Sequence, residues 1–231
     1  TIEQPQRLAE WQAWGKSLPR PKAILMISAH WETRPLMLGA TTTLPLIYDF
    51  YGFPAEYYQL SYAAPGAPEL AARVRTLLAG ADVPFAERPE RGWDHGAWIP
   101  LLGLYPQADI PVLQISLPSQ DVDELLALGA ALAPLRAEGV LIMASGLITH
   151  NLRQWTPDGV VAPWARAFDE WLAEKLQRDD RQALHATMLR LYHPISGIEM
   201  EWHAPIPQDM VELIDSMRAD YEEHKDRIDW L

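Results

Sequence analysis

The chain has 231 residues, of which 48% are hydrophobic and 22% charged, as in a folded globular domain, and this length fits one large domain. Its formal net charge of −12 repels phosphate backbones and anionic lipid, so we expect no nucleic-acid partner and no membrane partner. Cysteine is absent, which excludes disulfides, thiolate metal sites and cysteine nucleophiles and leaves His, Asp and Glu as metal ligands. The sequence shows no signal-peptide pattern and no apolar run of membrane-spanning length, so we expect a cytoplasmic protein. The start at Thr1, without Met, leaves open that residues precede it.

Predicted helices and buried strands alternate along the chain. An amphipathic helix over residues 3–17 precedes a continuous apolar run over 23–27, which is typical of a strand buried on both faces of a parallel sheet. The remaining pattern predicts, in chain order, an aromatic loop over 31–68, a helix over 68–80, a strand over 110–117, a helix over 121–139, a strand over 140–146, a helix over 161–178, an irregular stretch from about 185 and a charged amphipathic helix over 211–230.

This alternation predicts an α/β fold, a three-layer sandwich in which helices flank a mostly parallel central sheet. No linker interrupts the pattern, so we expect a single domain over 1–231 that ends in a helical tail over 205–231. The oligomeric state has no signature in the sequence.

Three histidines lie where such a sheet binds its ligands. His30 and His150 directly follow predicted buried strands, in ISAHW and SGLITHN, and His95 lies in a Gly-flanked loop, WDHGAW, that can reach the same edge. Ligands of open α/β sheets bind beyond the carboxyl ends of the strands. Imidazole offers metal ligation or proton transfer near neutral pH. One such histidine alone is more often a hydrogen-bonded structural residue, but three in these settings favour a site.

Competing motifs are weak. Ser28 and Ser145 lie outside any G-x-S-x-G elbow, and the chain contains no dinucleotide fingerprint, P-loop, H-E-x-x-H helix or EF-hand loop. A metal hydrolase would need a carboxylate ligand near His30, and the acidic residues, scattered along helices, suggest none. His185 and His224 are interpreted as surface residues, whereas His193 and His203 lie in a Pro-flanked aromatic region that suits either a site or plain packing.

Several stretches together resemble a known family. They are LPRPKAILMISAHWETR, PLIYDFYGFPAEYYQLSYAAPGAPELA, GWDHGAWIPLLGLYPQADIPVLQISL and ASGLITHNLRQW, which follow one another in order from about residue 5 to about 175. In these motifs the chain is similar to the class III, LigB-like extradiol ring-cleavage dioxygenases, and in particular to the branch that cleaves DOPA. The resemblance implies an oxidoreductase that opens a small catechol with O2 at a mononuclear non-haem site holding Fe(II) or Zn(II).

The same resemblance implies roles for individual residues. His30 corresponds to a metal ligand of the family, His150 to a ligand or acid/base at the metal, and His95 to a pocket histidine that shuttles protons. Aromatic residues are expected to form the walls of the substrate pocket, namely Tyr48, Phe50, Phe53 and Trp98.

The chain departs from the family pattern in two places. This sequence starts after the family's N-terminal strand, which ends in an HGSP-like ligand motif, so either that segment precedes the residues given or the protein lacks it. The late HPTxEH-like ligand motif is not preserved in order. His193 and His203 are the candidates to replace the late ligand, and we favour His203 as the third metal ligand because HAPIP is the nearer match. These departures keep open the alternative of a non-catalytic relative that serves as a binding or scaffold protein.

Overall fold

The computed structural model describes residues 5–146, 160–177, 188–192 and 199–203, together with residues 211, 215, 218 and 219. The chain divides into two compact units, Thr1–Ile148 and Thr149–Leu231. The single domain expected from the sequence therefore stays a prediction.

The first unit holds five strands and five α-helices in the described residues. The helices are α1 (Pro5–Ser17), α2 (Pro68–Gly80), α3 (His95–Leu104), α4 (Val122–Leu132) and α5 (Pro134–Ala137), and a 3-10 helix covers Ala55–Gln59; the strands are β1 (Ala23–Glu32), β2 (Leu36–Leu38), β3 (Phe85–Glu87), β4 (Val112–Leu117) and β5 (Val140–Ser145). The bounds predicted for α2 are confirmed. Proline at the first helical position and glycine at the end explain them, because each residue suits that end of a helix.

The five strands form one sheet in the order β3-β2-β4-β1-β5. β1 pairs in parallel with both β4 and β5, and β2 pairs in parallel with β3. Only the β2–β4 contact is antiparallel, through the pair Leu38–Ile115. The prediction of an α/β fold with a mostly parallel sheet is therefore confirmed.

Helices cover both faces of this sheet and make it a three-layer structure. Successive residues of a strand point to opposite faces, so Leu25 packs with helices α2, α4 and α5, whereas Ile24 and Met26 pack with helix α3. All three are fully buried. This burial on both sides explains why the central strands read as continuous apolar runs rather than as alternating ones.

Two predicted elements need correction within the first unit. The single helix predicted over 121–139 is two helices, because Pro134 has no backbone N–H and starts a new helix, α5, after α4 has ended. His95 does not lie in a loop but is the first residue of α3. The short strands β2 and β3 were not predicted.

The described part of the second unit consists of α6 (Pro163–Gln177) and an antiparallel pair, β6 (Met188–Tyr192) with β7 (Glu199–His203). The sequence region interpreted as irregular thus forms a two-stranded sheet. In the tail, residues 211, 215, 218 and 219 are helical, and the rest of the predicted helix lies outside the described residues. No helix in the described ranges is both long and apolar enough to cross a membrane.

Candidate metal and catalytic site

His30 lies where β1 leaves its neighbours at the carboxyl edge of the sheet. The pairing of β1 with β5 ends at Ser28–Ser145, and its regular pairing with β4 stops at Ile27 and resumes only at Glu32. β1 is longer than predicted, so His30 belongs to the strand rather than following it. The expected position at the sheet edge nevertheless holds, because residues 29–31 lie in the break of the ladder.

Helix α3 brings His95 to the same edge. The Asp94 side chain caps this helix by accepting the backbone N–H of Ala97 at 3.2 Å, which makes His95 the first helical residue. Next along the chain, Gly96 lies so close to β1 that a Cβ atom there would be 2.3 Å from Ser28 Oγ and 3.1 Å from His30 Cδ2. This close approach sets the imidazole centroids of His30 and His95 4.1 Å apart.

A buried polar network supports this helix start. Asp94 has no exposed surface, and its Oδ2 atom accepts hydrogen bonds from Arg91 Nη2 at 2.9 Å and from Gln114 Nε2 at 2.6 Å. The Arg91 guanidinium also stacks over the Trp31 ring, 4.5 Å from its centroid. A buried carboxylate needs this kind of paired cation and hydrogen bonding, so Asp94 links helix α3 to strand β4 through Gln114.

Asp49 joins the two histidines, and the sequence analysis missed it. Its Oδ1 atom lies 2.8 Å from His95 Nδ1 and accepts the His95 backbone N–H at 3.0 Å, and its Oδ2 atom lies 3.1 Å from His30 Nδ1. Burial raises the pKa of Asp49, but the His95 hydrogen bonds and the attraction of its imidazole outweigh that effect and lower the pKa to about 2. The expectation that no carboxylate lies near His30 was therefore wrong.

The loop that carries Asp49 is fastened to helix α3. The Ile47 N–H donates to the Trp93 carbonyl at 2.8 Å, and the Ile47 carbonyl accepts the Trp98 indole N–H at 3.2 Å. Gly92 permits the approach, since a Cβ atom there would lie 2.0 Å from the Pro45 carbonyl oxygen. The position of Asp49 opposite His95 is thus fixed by contacts of the residues that precede it, Pro45 and Ile47.

Aromatic rings adjoin this His–Asp–His group. The Phe50 ring lies 5.4 Å from the His95 ring and 5.5 Å from that of Phe53, and the Tyr48 ring lies 5.5 Å from that of Trp98. Phe53 is 54% exposed, whereas Trp98 is fully buried. Trp98 therefore packs against the buried side of the aromatic cluster. Contact of Trp98, Tyr48 and Phe53 with substrate stays a prediction.

The donor atoms of His30, Asp49 and His95 all lie within 4.8 Å of one another, and this set can hold a metal ion. Two imidazoles and a carboxylate suit Zn²⁺ and also Fe(II), for which this donor set is typical of non-haem oxygenases. These residues fit both ions by ligand type, because Zn²⁺ and Fe(II) both accept hard oxygen and borderline nitrogen donors. The same atoms also fit a hydrogen-bonded group in which Asp49 is not a ligand.

Of the predicted metal ligands, His30 belongs to the described part of the first unit. His150 lies outside the described residues. His203 is the last residue of β7, in the second unit, where the backbone alone is described. Both assignments therefore stay predictions.

Comparison with known proteins gives two kinds of similarity. Residues 3–203 match the family model of the catalytic LigB subunit of aromatic ring-opening dioxygenase. A 4,5-DOPA dioxygenase extradiol from Beta vulgaris is 46% identical over 194 residues, which are 79% of this chain and 72% of that protein. A crystal structure of an uncharacterized protein from Escherichia coli K12 is 38% identical with a TM-score of 0.61, and the match covers 78% of this chain and 66% of that one.

The second similarity is local. The ribosomal large subunit pseudouridine synthase D of Escherichia coli K12 is 86% identical over 56 residues, which are 24% of this chain and 17% of that protein. A match to so small a share of the synthase carries no proposal of its activity.

Proposed function

Because this chain belongs to the LigB family of aromatic ring-opening dioxygenases, we propose that it opens the ring of a small, DOPA-like catechol with O2 at a single non-haem metal ion. The predicted family and the predicted enzyme class, extradiol dioxygenase, are both confirmed. The match covers 72% of the Beta vulgaris protein and 66% of the Escherichia coli chain of known structure, so the activity, substrate and metal of this chain are proposals.

One observation of the structure carries the proposal. Two imidazoles from separate elements, strand β1 and helix α3, lie edge to face with their centroids 4.1 Å apart at the carboxyl edge of a mostly parallel sheet, and one carboxylate contacts both. That edge is where α/β sheets bind their ligands. A structural role alone gives no reason for two titratable rings and an acid to share one partly exposed position.

We propose that His30 holds the metal, together with His150 and His203, which the family resemblance suggests. When bound, the metal would supply a Lewis acid for the catechol oxygens and a binding position for O2. Fe(II) is the expected metal for turnover, and Zn(II) is the alternative occupant of the same ligands.

His95 is the residue proposed to move protons. Its side chain is 23% exposed and lies beside His30, so a catechol hydroxyl bound to that metal would come within its reach. An imidazole can take up the hydroxyl proton and later return it to an oxygen of the product. Positioned groups of this kind contribute typically ~10²–10⁴-fold to the rate.

The aromatic loop is proposed to hold the ring of the substrate. Phe50 and Phe53 present ring faces and edges next to His95, and offset or edge-to-face contact with another aromatic ring is favourable. In the reaction, the carbon–carbon bond next to the diol breaks, and both atoms of O2 enter the product, one in a carboxylate and one in an aldehyde. A cytoplasmic location is part of the same proposal.

The test is ring cleavage by the whole chain after anaerobic loading with Fe(II). DOPA, catechol and protocatechuate are then added in air, and O2 uptake is recorded together with the yellow absorbance of a ring-opened semialdehyde. We expect the O2 taken up to equal the product formed. The rate of ring cleavage should fall ~10²–10⁴-fold in His95→Gln. It should be unchanged in the control His185→Gln, at a histidine predicted to lie on the surface. A chain that binds no iron would refute the proposal and favour a non-catalytic binding protein.

A further inference from the structure

The geometry points to a positioning role for Asp49. We propose that its carboxylate accepts a hydrogen bond from the Nδ1–H groups of both His30 and His95 and thereby sets both rings to work through Nε2. What each Nε2 atom does, metal binding at His30 and proton transfer at His95, rests on the proposed function. The hydrogen-bond arrangement itself does not.

The first step concerns His95. Asp49 Oδ1 accepts the backbone N–H of His95 at 3.0 Å and lies 2.8 Å from its Nδ1 atom. An ionised carboxylate can only accept hydrogen bonds, and an aspartate is normally ionised at neutral pH. The proton between the two side chains therefore belongs to Nδ1. A neutral His95 then has its lone pair on Nε2.

The second step concerns His30. Asp49 Oδ2 lies 3.1 Å from His30 Nδ1, which is an ion-pair distance. A proton on this nitrogen would let His30 donate to the carboxylate, which can only accept. A histidine that binds a metal through one nitrogen commonly donates its other N–H to a carboxylate, which fixes the orientation of the ring and makes it a better ligand. Asp49 can give His30 that support.

The third step concerns rigidity. Asp49 is two residues from Ile47, whose N–H and carbonyl groups are both bonded to the segment that carries His95. The acceptor and its donors are thus held by the same backbone contacts. A carboxylate held by such contacts can fix the orientation of the two imidazole rings. On an unrestrained loop, the carboxylate would instead move with the rings.

The competing interpretation makes Asp49 the third ligand of the metal, completing a set of two histidines and one carboxylate. The hydrogen bonds argue against it. A carboxylate oxygen has two lone pairs, and those of Oδ1 already face two donors of His95. In addition, Nδ1 is the nitrogen of each ring that lies within 3.1 Å of the carboxylate, so we expect a ligand on the Nε2 side of the rings.

The experiment is ¹⁵N NMR of the imidazole rings in the whole, metal-free chain near neutral pH, with the signals assigned through His30→Gln and His95→Gln. We expect the Nδ1–H tautomer at both His30 and His95. After loading with Zn²⁺, a diamagnetic probe, both rings should keep their proton on Nδ1. An Nε2–H tautomer at either ring, or zinc bound to Nδ1, would overturn the proposal.

The variant Asp49→Asn sharpens the test. Its amide oxygen is held by the His95 backbone N–H, which can only donate, so the amide NH2 group must face His30. His30 should then switch to the Nε2–H tautomer while His95 keeps its own, and the affinity for Zn²⁺ should fall ~10–100-fold. An unchanged His30 tautomer would contradict the positioning role.

The matched control is Asp109→Asn, which changes an exposed aspartate paired with Arg20 and should alter neither spectrum nor affinity. The spectra need neither iron nor substrate. An enzyme with the expected tautomers and no ring cleavage would refute the proposed function and leave the positioning role intact. Normal ring cleavage with an Nε2–H tautomer at either histidine would refute the positioning role and leave the proposed function intact.

Discussion

Substituting Gly96 by alanine tests whether close contact between helix α3 and strand β1 builds the site. The added Cβ would lie 2.3 Å from Ser28 Oγ, 3.1 Å from His30 Cδ2 and 3.2 Å from Asp94 Oδ1. Ser28 and Asp94 are fully buried, so neither can move aside into solvent. The start of the helix must therefore move away from the strand and carry His95 with it.

The expected change in the free energy of unfolding of Gly96→Ala combines two opposing effects. Overpacking a well-packed position costs typically ~1–3 kcal/mol. Replacing glycine by alanine inside a helix returns up to ~1 kcal/mol. We therefore expect Gly96→Ala to lower the free energy of unfolding by about 1–2 kcal/mol, because the steric cost exceeds the helix gain. The rate of ring cleavage should fall further, since a shift of ~1 Å in a reacting group can cost ~100-fold.

The assay is urea denaturation of Gly96→Ala beside Gly129→Ala, followed by O2 uptake. Gly129 is also helical, in α4, but a Cβ atom there meets nothing within 4 Å. The control variant should therefore be up to ~1 kcal/mol more stable than the parent. Adding Ser28→Ala to Gly96→Ala removes the shortest contact and should restore part of the loss. A Gly96→Ala protein as stable and as active as Gly129→Ala would refute this explanation of the site.

Three further outcomes follow from the same structure. Asp94→Ala should lower the free energy of unfolding in urea by ~3–5 kcal/mol, because it leaves Arg91 without its buried partner; a loss below 1 kcal/mol would contradict the buried network. Trp98→Ala should cost ~3–5 kcal/mol in the same assay, whereas Phe53→Ala, at an exposed ring, should change stability by less than ~0.5 kcal/mol and raise the KM for the catechol; a destabilised Phe53→Ala or an unchanged KM would remove Phe53 from the pocket. Dialysis against a chelator should abolish ring cleavage and addition of Fe(II) should restore it, and activity that survives metal removal would exclude a metal-dependent reaction.

The central strands and helix α2 could be predicted because their signals are local. The run over 23–27 is apolar without interruption, and α2 is bracketed by Pro68 and Gly80. Strands β2 and β3 have three residues each, too few to show any periodicity. Their place in the sheet comes from pairing with each other and with β4, residues distant in the sequence. Pro134, where α5 begins, is a local signal for the break between α4 and α5.

The site was predictable only in part, for a related reason. His30 could be placed at the sheet edge because a strand that ends in a polar residue marks that edge. Asp49 is 19 residues from His30 and 46 from His95, so its contacts depend on the path of an irregular loop. One signal was available: Asp49 is the only charged residue between Arg34 and Glu56, in a stretch of otherwise apolar and neutral residues. An isolated charge among aromatic residues needs a partner, and here it has two histidines.

Isotope labelling tests the central claim most directly, namely that this chain inserts both atoms of O2 into a catechol ring. The Fe(II)-loaded protein is mixed with DOPA under ¹⁸O2. The product is reduced at once, because the oxygen of an aldehyde exchanges with water, and its mass is then measured by mass spectrometry. We predict a ring-opened product that carries both labelled atoms. A product with one labelled atom or none, or DOPA recovered intact from iron-loaded protein, would contradict the proposed reaction.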